Sequence, residues 1–167
     1  YPGFKSFEGM VLYSSPNVGP KVAPGKYNIR MTYNDQILQK EFEIVKDPRV
    51  KISQADYEDQ LEFLINVRDE VSRANQKIID IRNIKNNMIF ISDKTRDNIE
   101  LQEMINNYLT DVSEIENNIH MTKNQSRQDP LNYGIRINNR IAFLLADSQR
   151  GDYPPTDQSK EFFIQVK

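Results

Sequence analysis

The chain has 167 residues, with 22 basic and 24 acidic side chains and a formal net charge of −2. This length suits one or two small domains, and the near-neutral charge excludes the basic surface of a dedicated nucleic-acid-binding protein. With no cysteine and a single histidine, the sequence cannot build a disulfide framework, a Cys-type zinc site or a multi-histidine metal site. No apolar run approaches the ~20 residues that a membrane span requires. We therefore expect no membrane span, no nucleic-acid partner, no metal and no cofactor.

Proline and glycine divide the sequence near Pro48. Five of the eight prolines and four of the six glycines fall within the first 48 residues, and residues 49–129 contain no proline. Because both residue types mark turns and interrupt helices, this shift indicates a change of architecture. We predict an α+β chain, with a partial Ig-like β-sandwich over residues 1–49 and a helical bundle over residues 50–167.

The first part of the chain is predicted to form strands. Apolar and polar residues alternate over residues 27–33, the period-2 pattern of a half-buried strand, and a second apolar run follows at residues 42–45. Asn34 and Asp35 tolerate the left-handed backbone of a tight turn, so the two runs predict a β-hairpin. Residues 10–13 offer a third strand. Since three strands are too few for a sandwich, we interpret them as the last strands of an Ig-like fold whose other strands were cut away. The alternative is that the helices cover the exposed face.

From residue 53 onward the sequence is helical. Ser53 with Asp56 resembles a capping box, and apolar residues then recur at spacings of three and four, which predicts a helix over residues 54–91. Residues 92–93 indicate a break and a new cap before a second helix over residues 94–122. Two long helices joined by a short turn run antiparallel as an αα-hairpin. The residues that we expect to matter most for its core are Leu61, Leu64, Ile78, Ile115 and Ile119.

Two shorter helices follow the hairpin. Asp129 and Pro130 have the pattern of an N-cap and a first helical residue, which predicts a third helix over residues 130–150. Residues 154–156 read PPT, a rigid turn that leads into the cap of a fourth helix over residues 156–167. The second part of the chain is therefore predicted to be an antiparallel helical bundle built around a long αα-hairpin.

His120 is the one imidazole available for acid–base chemistry. It follows the apolar position Ile119 near the end of the second predicted helix, where a positively charged imidazole would interact favourably with the helix dipole. Proton-transfer histidines are found with orienting partners. We predict a structural role for His120, as a surface or capping residue.

Pairs of acidic residues are the other candidates for catalysis. Glycosidases need two carboxylates about 5–10 Å apart across a sugar-binding cleft. The acidic pairs of this sequence lie on the polar faces of amphipathic helices beside basic residues, which is typical of a solvated surface. We therefore predict no catalytic residue in this chain. The pairs considered are Asp69 with Glu70, Glu100 with Glu103, and Glu114 with Glu116.

Residues 123–133 form a dense polar connection between two apolar helices. Such a loop either binds a ligand or satisfies its own polar groups where the chain turns a corner. We expect a candidate interaction or structural corner formed by Arg127, Asp129, Asn132 and Tyr133.

Several stretches of the chain resemble one protein family. Residues 19–30 read GPKVAPGKYNIR and residues 45–50 read VKDPRV, similar to a GPxVxPGxYxVxL … DPRV pattern. Residues 123–139 read KNQSRQDPLNYGIRINN, similar to KNxSRQDPLNYPIRLNNKL, and residues 155–159 match the PTDQS that follows it. These patterns occur near the C-terminus of large bacterial BNR-repeat, sortilin-like β-propeller proteins, often labelled glycosyl hydrolases. The sequence departs from the pattern at Gly134, where the family commonly has proline.

The resemblance implies the C-terminal region of a larger exported bacterial protein, in which a β-sandwich and a helical tail follow a propeller. The propeller repeat centres on Ser, Asp, Gly and Trp, and this chain has no tryptophan, so none of the propeller is expected here. No family catalytic residue maps onto these positions. We expect an accessory region that packs against its own upstream propeller or binds a protein or glycan. Two alternatives stay open: a contribution to a glycoside hydrolase active site, or a free-standing helical module that forms a homodimer through its long helices.

Overall fold

A computed structural model describes residues 3–13 and 18–167. It has the predicted α+β class, because a two-stranded antiparallel sheet is followed by a long helix and by further helices. In chain order the elements are β1 (Gly25–Tyr33), β2 (Gln36–Ile44), α1 (Gln54–Lys94), α2 (Ile99–Ile119), α3 (Pro130–Tyr133), α4 (Ile137–Ser148) and α5 (Asp157–Val166).

β1 and β2 form the hairpin that the sequence predicts, and the nine residues of each strand pair throughout. Asn34 and Asp35 have φ values of 44° and 62°, as a two-residue hairpin turn requires. The sheet makes no extensive contact with any helix in the described part of the chain. One link to α1 is a hydrogen bond of 2.9 Å from Nε2 of Gln54 to the carbonyl of Pro24.

The predicted third strand at residues 10–13 is wrong. This segment joins no sheet, and the side chain of Asn139 binds its backbone instead. Nδ2 of Asn139 donates to the carbonyl of Val11 at 2.9 Å, and its Oδ1 accepts from the N–H of Tyr13 at 2.7 Å. An amide side chain of α4 thus bonds this segment as a neighbouring strand would. The described residues contain two strands, so no Ig-like sandwich forms within them.

α1 is a single helix of 41 residues, ~60 Å long. Its predicted capping box is confirmed, because Ser53 accepts from the backbone of Asp56 and the Asp56 side chain bonds back to the Ser53 backbone. The break predicted at residues 92–93 is wrong, since α1 continues to Lys94. Asn98 is the N-cap of α2, which begins at the next residue.

The single helix predicted over residues 130–150 is two helices. α3 is about one turn long, and the chain leaves it through Gly134 with φ 77° and ψ 170° before α4 begins at Ile137. Glycine adopts this conformation readily, whereas a side chain or the proline ring does not. Gly134, the position at which the sequence departs from the family pattern, is therefore the physical reason for the break. The turn predicted over residues 154–156 leads into α5, and Thr156 itself is the N-cap of that helix.

The core lies where α4 packs against the first half of α1. α5 reaches it through Phe163, whose ring meets that of Phe63 edge-on with centroids 5.7 Å apart. The last buried residue of α1 is Ile78, because α4 has only 12 residues and cannot cover the rest of the long helix. The buried residues of this core are Phe63, Leu64, Val67, Val71, Ala74, Ile141, Ala142, Leu144 and Leu145.

The predicted core residues do not all lie in the interior. Leu64 and Ile78 are fully buried, as predicted. Ile115 is 52% exposed, so its prediction as a core residue is wrong. The buried positions of α2 nearest to it are Val112 and Glu116, and the rotation of ~100° per residue turns Ile115 to one side of them. The other two predicted core residues, Leu61 and Ile119, are half-buried.

Candidate functional site

Asp129 organises the polar corner through hydrogen bonds within its own loop. Its Oδ2 accepts from the backbone N–H of Gln125 at 2.6 Å and of Ser126 at 2.8 Å, and its Oδ1 accepts from the Ser126 hydroxyl at 3.0 Å. These three bonds stabilise the ionised carboxylate and lower the pKa of Asp129, the Gln125 bond having the largest effect. The carboxylate is N-terminal to Pro130 but makes no side-chain cap bond to α3. All the groups that bond the Asp129 side chain belong to its own loop, so these hydrogen bonds stabilise the loop.

The other three residues of the predicted corner do not converge with Asp129. The side chains of Arg127, Asn132 and Tyr133 are exposed, and none of them forms a hydrogen bond within the described residues. The structure therefore brings Asp129 together with Gln125 and Ser126, which precede it in the loop. The corner is a locally closed turn with three free polar side chains on its surface.

Glu116 is a buried carboxylate that contacts two basic side chains. It lies nearly fully buried between α1 and α2, with Oε1 2.7 Å from Nε of Arg82 and Oε2 3.0 Å from Nζ of Lys85. Burial by itself raises the pKa of Glu116, but hydrogen bonds and positive charge from both cations outweigh it and hold that pKa below its ordinary value. The carboxylate is thus ionised at neutral pH and joins the two helices. Its predicted partner Glu114 is exposed.

His120 is the C-cap residue of α2, which confirms the capping alternative of its prediction, whereas the surface alternative is wrong because His120 is only 1% exposed. Its ring packs edge-on against Phe7 with centroids 4.8 Å apart, and its Nδ1 lies 3.5 Å from Nδ2 of Asn138. Burial, assisted by the positive charge of Arg82, lowers the pKa of His120. The imidazole is therefore neutral at pH 7, which excludes the predicted interaction of a charged ring with the helix dipole.

Buried asparagines that the sequence analysis missed hold the N-terminal segment, residues 3–13, against the helices. Besides Asn139, Asn75 on α1 donates from Nδ2 to the carbonyl of Lys5 at 2.8 Å. Both asparagine side chains are 1% exposed or less. The sequence does carry a signal for them, since an asparagine next to an apolar stripe must find a hydrogen-bond partner when that stripe is buried.

A groove of about 420 Å³ lies between α1, α4 and the end of α5. Glu70, one member of the predicted pair with Asp69, lines it, but Oε2 of Glu70 is 2.5 Å from the guanidinium of Arg73. Asp69 is paired with Arg68 at 2.7 Å. Because each carboxylate has its own arginine, this pair does not form the opposed acid and base that glycoside hydrolysis needs.

One face of the β-hairpin carries large apolar side chains along both strands, interrupted on β2 by Gln36 and Lys40. The strand register places Met31 directly opposite Leu38, and these side chains are 54% and 60% exposed. At the base of the hairpin the rings of Tyr27 and Phe42 lie 5.8 Å apart. We call this surface the strand face, and its residues are Tyr27, Ile29, Met31, Tyr33, Leu38 and Phe42.

Within the described residues, no group of three or more His, Cys, Asp or Glu side chains is arranged to hold a metal ion. None of the described helices is both long enough and apolar enough to cross a membrane. No protein-family model matches the sequence, and comparisons with curated proteins and with solved structures found no match.

Proposed function

We propose that this chain is a non-catalytic accessory region of a larger exported bacterial protein, which packs through its β-hairpin against the part of that protein that precedes it. The parent would be a BNR-repeat, sortilin-like β-propeller protein of the kind often labelled glycosyl hydrolase. The proposal combines the resemblance of residues 19–30, 45–50 and 123–139 to that family with the exposed strand face.

The strand face is the observation that carries the proposal. A two-stranded hairpin alone is marginally stable in water, and three or more strands or a covering layer are needed to stabilise it. Here the apolar side of the sheet, including Met31 and Leu38, is open, and no helix covers it in the described part of the chain. Further strands of a sandwich would bury this face and pair with the hairpin's open edges.

The charged groups of the helices support a role without chemistry. Glu116 is occupied by Arg82 and Lys85, and Asp129 is occupied by the backbone of its own loop. Groups held in this way stabilise local structure and are not poised for proton transfer. Under this proposal, the chain functions by burying the apolar strand face at an interface with the preceding part of the parent protein.

The first test is the reading frame upstream of the chain, followed by a binding measurement. The proposal expects repeated Ser-x-Asp-x-Gly-x-x-x-Trp-like blocks there. The upstream region, expressed separately, is expected to bind the 167-residue chain. Changing Met31→Glu together with Leu38→Lys keeps an attractive pair across the strands but makes the strand face polar, so binding should fall at least tenfold.

A matched control uses the other side of the same hairpin. Thr32 lies directly opposite Ile37, and both point away from the strand face because side chains alternate along a strand. Changing Thr32→Glu together with Ile37→Lys adds the same charges and should leave binding within twofold. Equal loss in both double variants, or an upstream frame without repeats, would contradict the proposal.

Measurements of the parent protein's activity distinguish the accessory role from the alternative, a contribution to a glycoside hydrolase active site. In the parent protein, Asp129→Asn and Glu114→Gln should leave kcat/KM within a few fold if the region is accessory. A carboxylate that takes part in catalysis would instead lower kcat/KM by several orders of magnitude when replaced by its amide. Asp129→Asn keeps an oxygen that can accept the Gln125 and Ser126 bonds, so its effect on folding is small.

A further inference from the structure

The outer part of the αα-hairpin extends beyond the core and has only one layer of helices. No residue of α1 after Ile78 is buried, and α4 packs against the first half of the helix. Over residues 81–94 the helix contacts only α2 among the described helices, through half-buried positions that repeat at spacings of four and three. A two-helix layer of this kind has two broad faces, and the N-terminal segment contacts one of them, where Nη1 of Arg82 donates to the carbonyl of Glu8.

Large apolar side chains gather on one of these two faces. On α2, Met104 and Tyr108 lie to one side of the buried line that runs through Ile105 and Val112. In an antiparallel pair of right-handed helices, residues rotated in the same sense from the contact line lie on the same side of the layer. By this rule Ile84 and Ile91 of α1 share that side. We call this surface the distal face, and its residues are Ile84, Ile91, Met104, Tyr108 and Ile115.

The spacing and exposure of the distal face are those of a helix-packing surface. Ile84 and Ile91 are seven residues apart, and so are Tyr108 and Ile115. A seven-residue repeat keeps side chains on one seam along a helix pair. Met104 is 63% exposed and Tyr108 is 44% exposed, so these side chains are open to another layer of helices. We propose that the distal face is the interface of a homodimer, in which the hairpins of two copies pack face to face.

The charges on the two helices favour a second copy as the occupant. α2 carries no basic residue and four exposed acidic ones, at positions 100, 103, 111 and 114. Of the five basic residues within residues 73–94 of α1, four are ion-paired within their own copy, and Lys94 is left for contact with the acidic α2 of another copy. Packing α2 on α2 of the other copy would oppose like charges. Packing α2 on α1 of the other copy, about a two-fold axis parallel to the helices, opposes unlike charges and makes every neighbouring pair of helices antiparallel.

Individual residues fit that arrangement at the tip of the hairpin. Glu100 and Glu103 are exposed in the first turns of α2 and form no ion pair in the described part of the chain. Lys94 is exposed at the end of α1, at the same level of the hairpin. The two-fold axis would bring Lys94 of one copy over the Glu100 region of the other. Each copy therefore contributes one Lys94 and one Glu100, so the contact occurs twice in the dimer.

The area agrees with a small dimer interface. The distal face is ~30 Å long, as the 21 residues of α2 require, and ~20 Å wide, since it spans two helices. This footprint of ~600 Å² per copy is near the lower end of interfaces that are stable in solution. We therefore expect a dimer that dissociates on dilution.

The test is the mass of the whole chain in solution, measured by sedimentation equilibrium over a hundredfold range of protein concentration. The monomer has a mass of 19.6 kDa, and we expect the average mass to approach twice that value as concentration rises. Met104→Lys with Tyr108→Lys should keep the chain monomeric. Asn106→Lys with Thr110→Lys adds the same charge to exposed positions away from the distal face and should dimerise like the unmodified chain.

A charge exchange tests the contact independently. Lys94→Glu should weaken the dimer at least tenfold, and adding Glu100→Lys should restore it. The strand-face variant (Met31→Glu with Leu38→Lys) should still dimerise, which separates this inference from the proposed function. The proposal is overturned if the unmodified chain stays at 19.6 kDa throughout. It is also overturned if both lysine double variants dimerise equally, or if only a basic helical peptide, and no second copy, binds the distal face.

Discussion

The side chain of Asn139 on α4 donates to the backbone carbonyl of Val11, 128 positions earlier in the chain, at 2.9 Å. The same amide accepts from the N–H of Tyr13, so one side chain satisfies a donor and an acceptor of a segment that has no regular structure. Since Asn139 is only 1% exposed, water cannot replace it. The packing of the N-terminal segment on the helices thus depends on this residue.

Replacing Asn139→Ala should lower the free energy of unfolding by about 2–4 kcal/mol, because two backbone groups lose a buried partner. Urea denaturation measures this loss, and limited proteolysis should show faster cleavage within residues 3–13. Asn132→Ala is the control, since the side chain of Asn132 is exposed and forms no hydrogen bond in the described part of the chain, and the bond from its backbone N–H to the carbonyl of Asp129 does not depend on the side chain. A change below 0.5 kcal/mol in the Asn139 variant, as expected for Asn132, would contradict this account.

Glu116 should contribute more to stability than any exposed acid of α2. Glu116→Gln removes the charge that Arg82 and Lys85 share, and we expect a loss of about 2 kcal/mol because those cations are only partly exposed. Glu114→Gln alters an exposed carboxylate two residues away and should stay within about 0.5 kcal/mol. Equal urea midpoints for the two variants would show that the buried cluster contributes nothing specific.

His120 should make the fold sensitive to mild acid. The unfolded chain binds a proton on this imidazole near its ordinary pKa of 6.5, whereas burial lowers the pKa of His120 in the folded protein. The contribution of His120 to the free energy of unfolding is therefore fully present above pH 6.5. It declines as pH falls toward the folded-state pKa, by up to about 1.4 kcal/mol per pH unit. Unfolding curves between pH 7 and pH 5 should show a steeper decline for the unmodified chain than for His120→Asn.

The effect of Glu116 can be told apart from that of His120 by its pH range. The folded-state pKa of Glu116 lies below its ordinary value of 4.5, so its contribution is present above that pH and is lost as pH falls further. Glu116→Gln should therefore flatten the stability curve below pH 4.5. Because the charge of Glu116 raises the pKa of His120, its removal should leave the decline between pH 7 and pH 5 at least as steep as in the unmodified chain. Parallel slopes for His120→Asn and the unmodified chain above pH 5 would rule out a role for the imidazole.

Gly134 should resist substitution although a Cβ there would meet no neighbouring atom. Its φ of 77° with ψ of 170° belongs to a region that is essentially restricted to glycine. Gly134→Ala should cost about 1–3 kcal/mol in unfolding free energy. Gly134→Pro, which introduces the residue found at this position in the pattern that the sequence resembles, should cost at least as much here because proline requires φ near −65°. A proline variant as stable as the original would mean that the chain between α3 and α4 can take another path.

Local features of this fold could be predicted because they depend on neighbours in sequence. The hairpin follows from alternating residues around Asn34 and Asp35, and the start of α1 follows from Ser53 and Asp56. The end of α1 was placed too early, at residues 92–93, since Ser and Asp are common caps but also occur inside helices. The break at Gly134 depends on one backbone conformation, which the apolar pattern on either side does not reveal.

The α+β class, the hairpin, the long helices and the absence of cysteine chemistry follow from periodicity and composition, which are properties of the amino-acid sequence alone. Which apolar positions are buried depends on how the helices pack against one another. Ile78 is in the interior because the helices pack around that part of α1, whereas Ile115 is exposed, although it also lies on an apolar stripe, because it is rotated to one side of the buried positions Val112 and Glu116. The burial of His120 and the hydrogen bonds of Asn139 likewise depend on tertiary contacts, since they involve segments distant in sequence that meet only after folding.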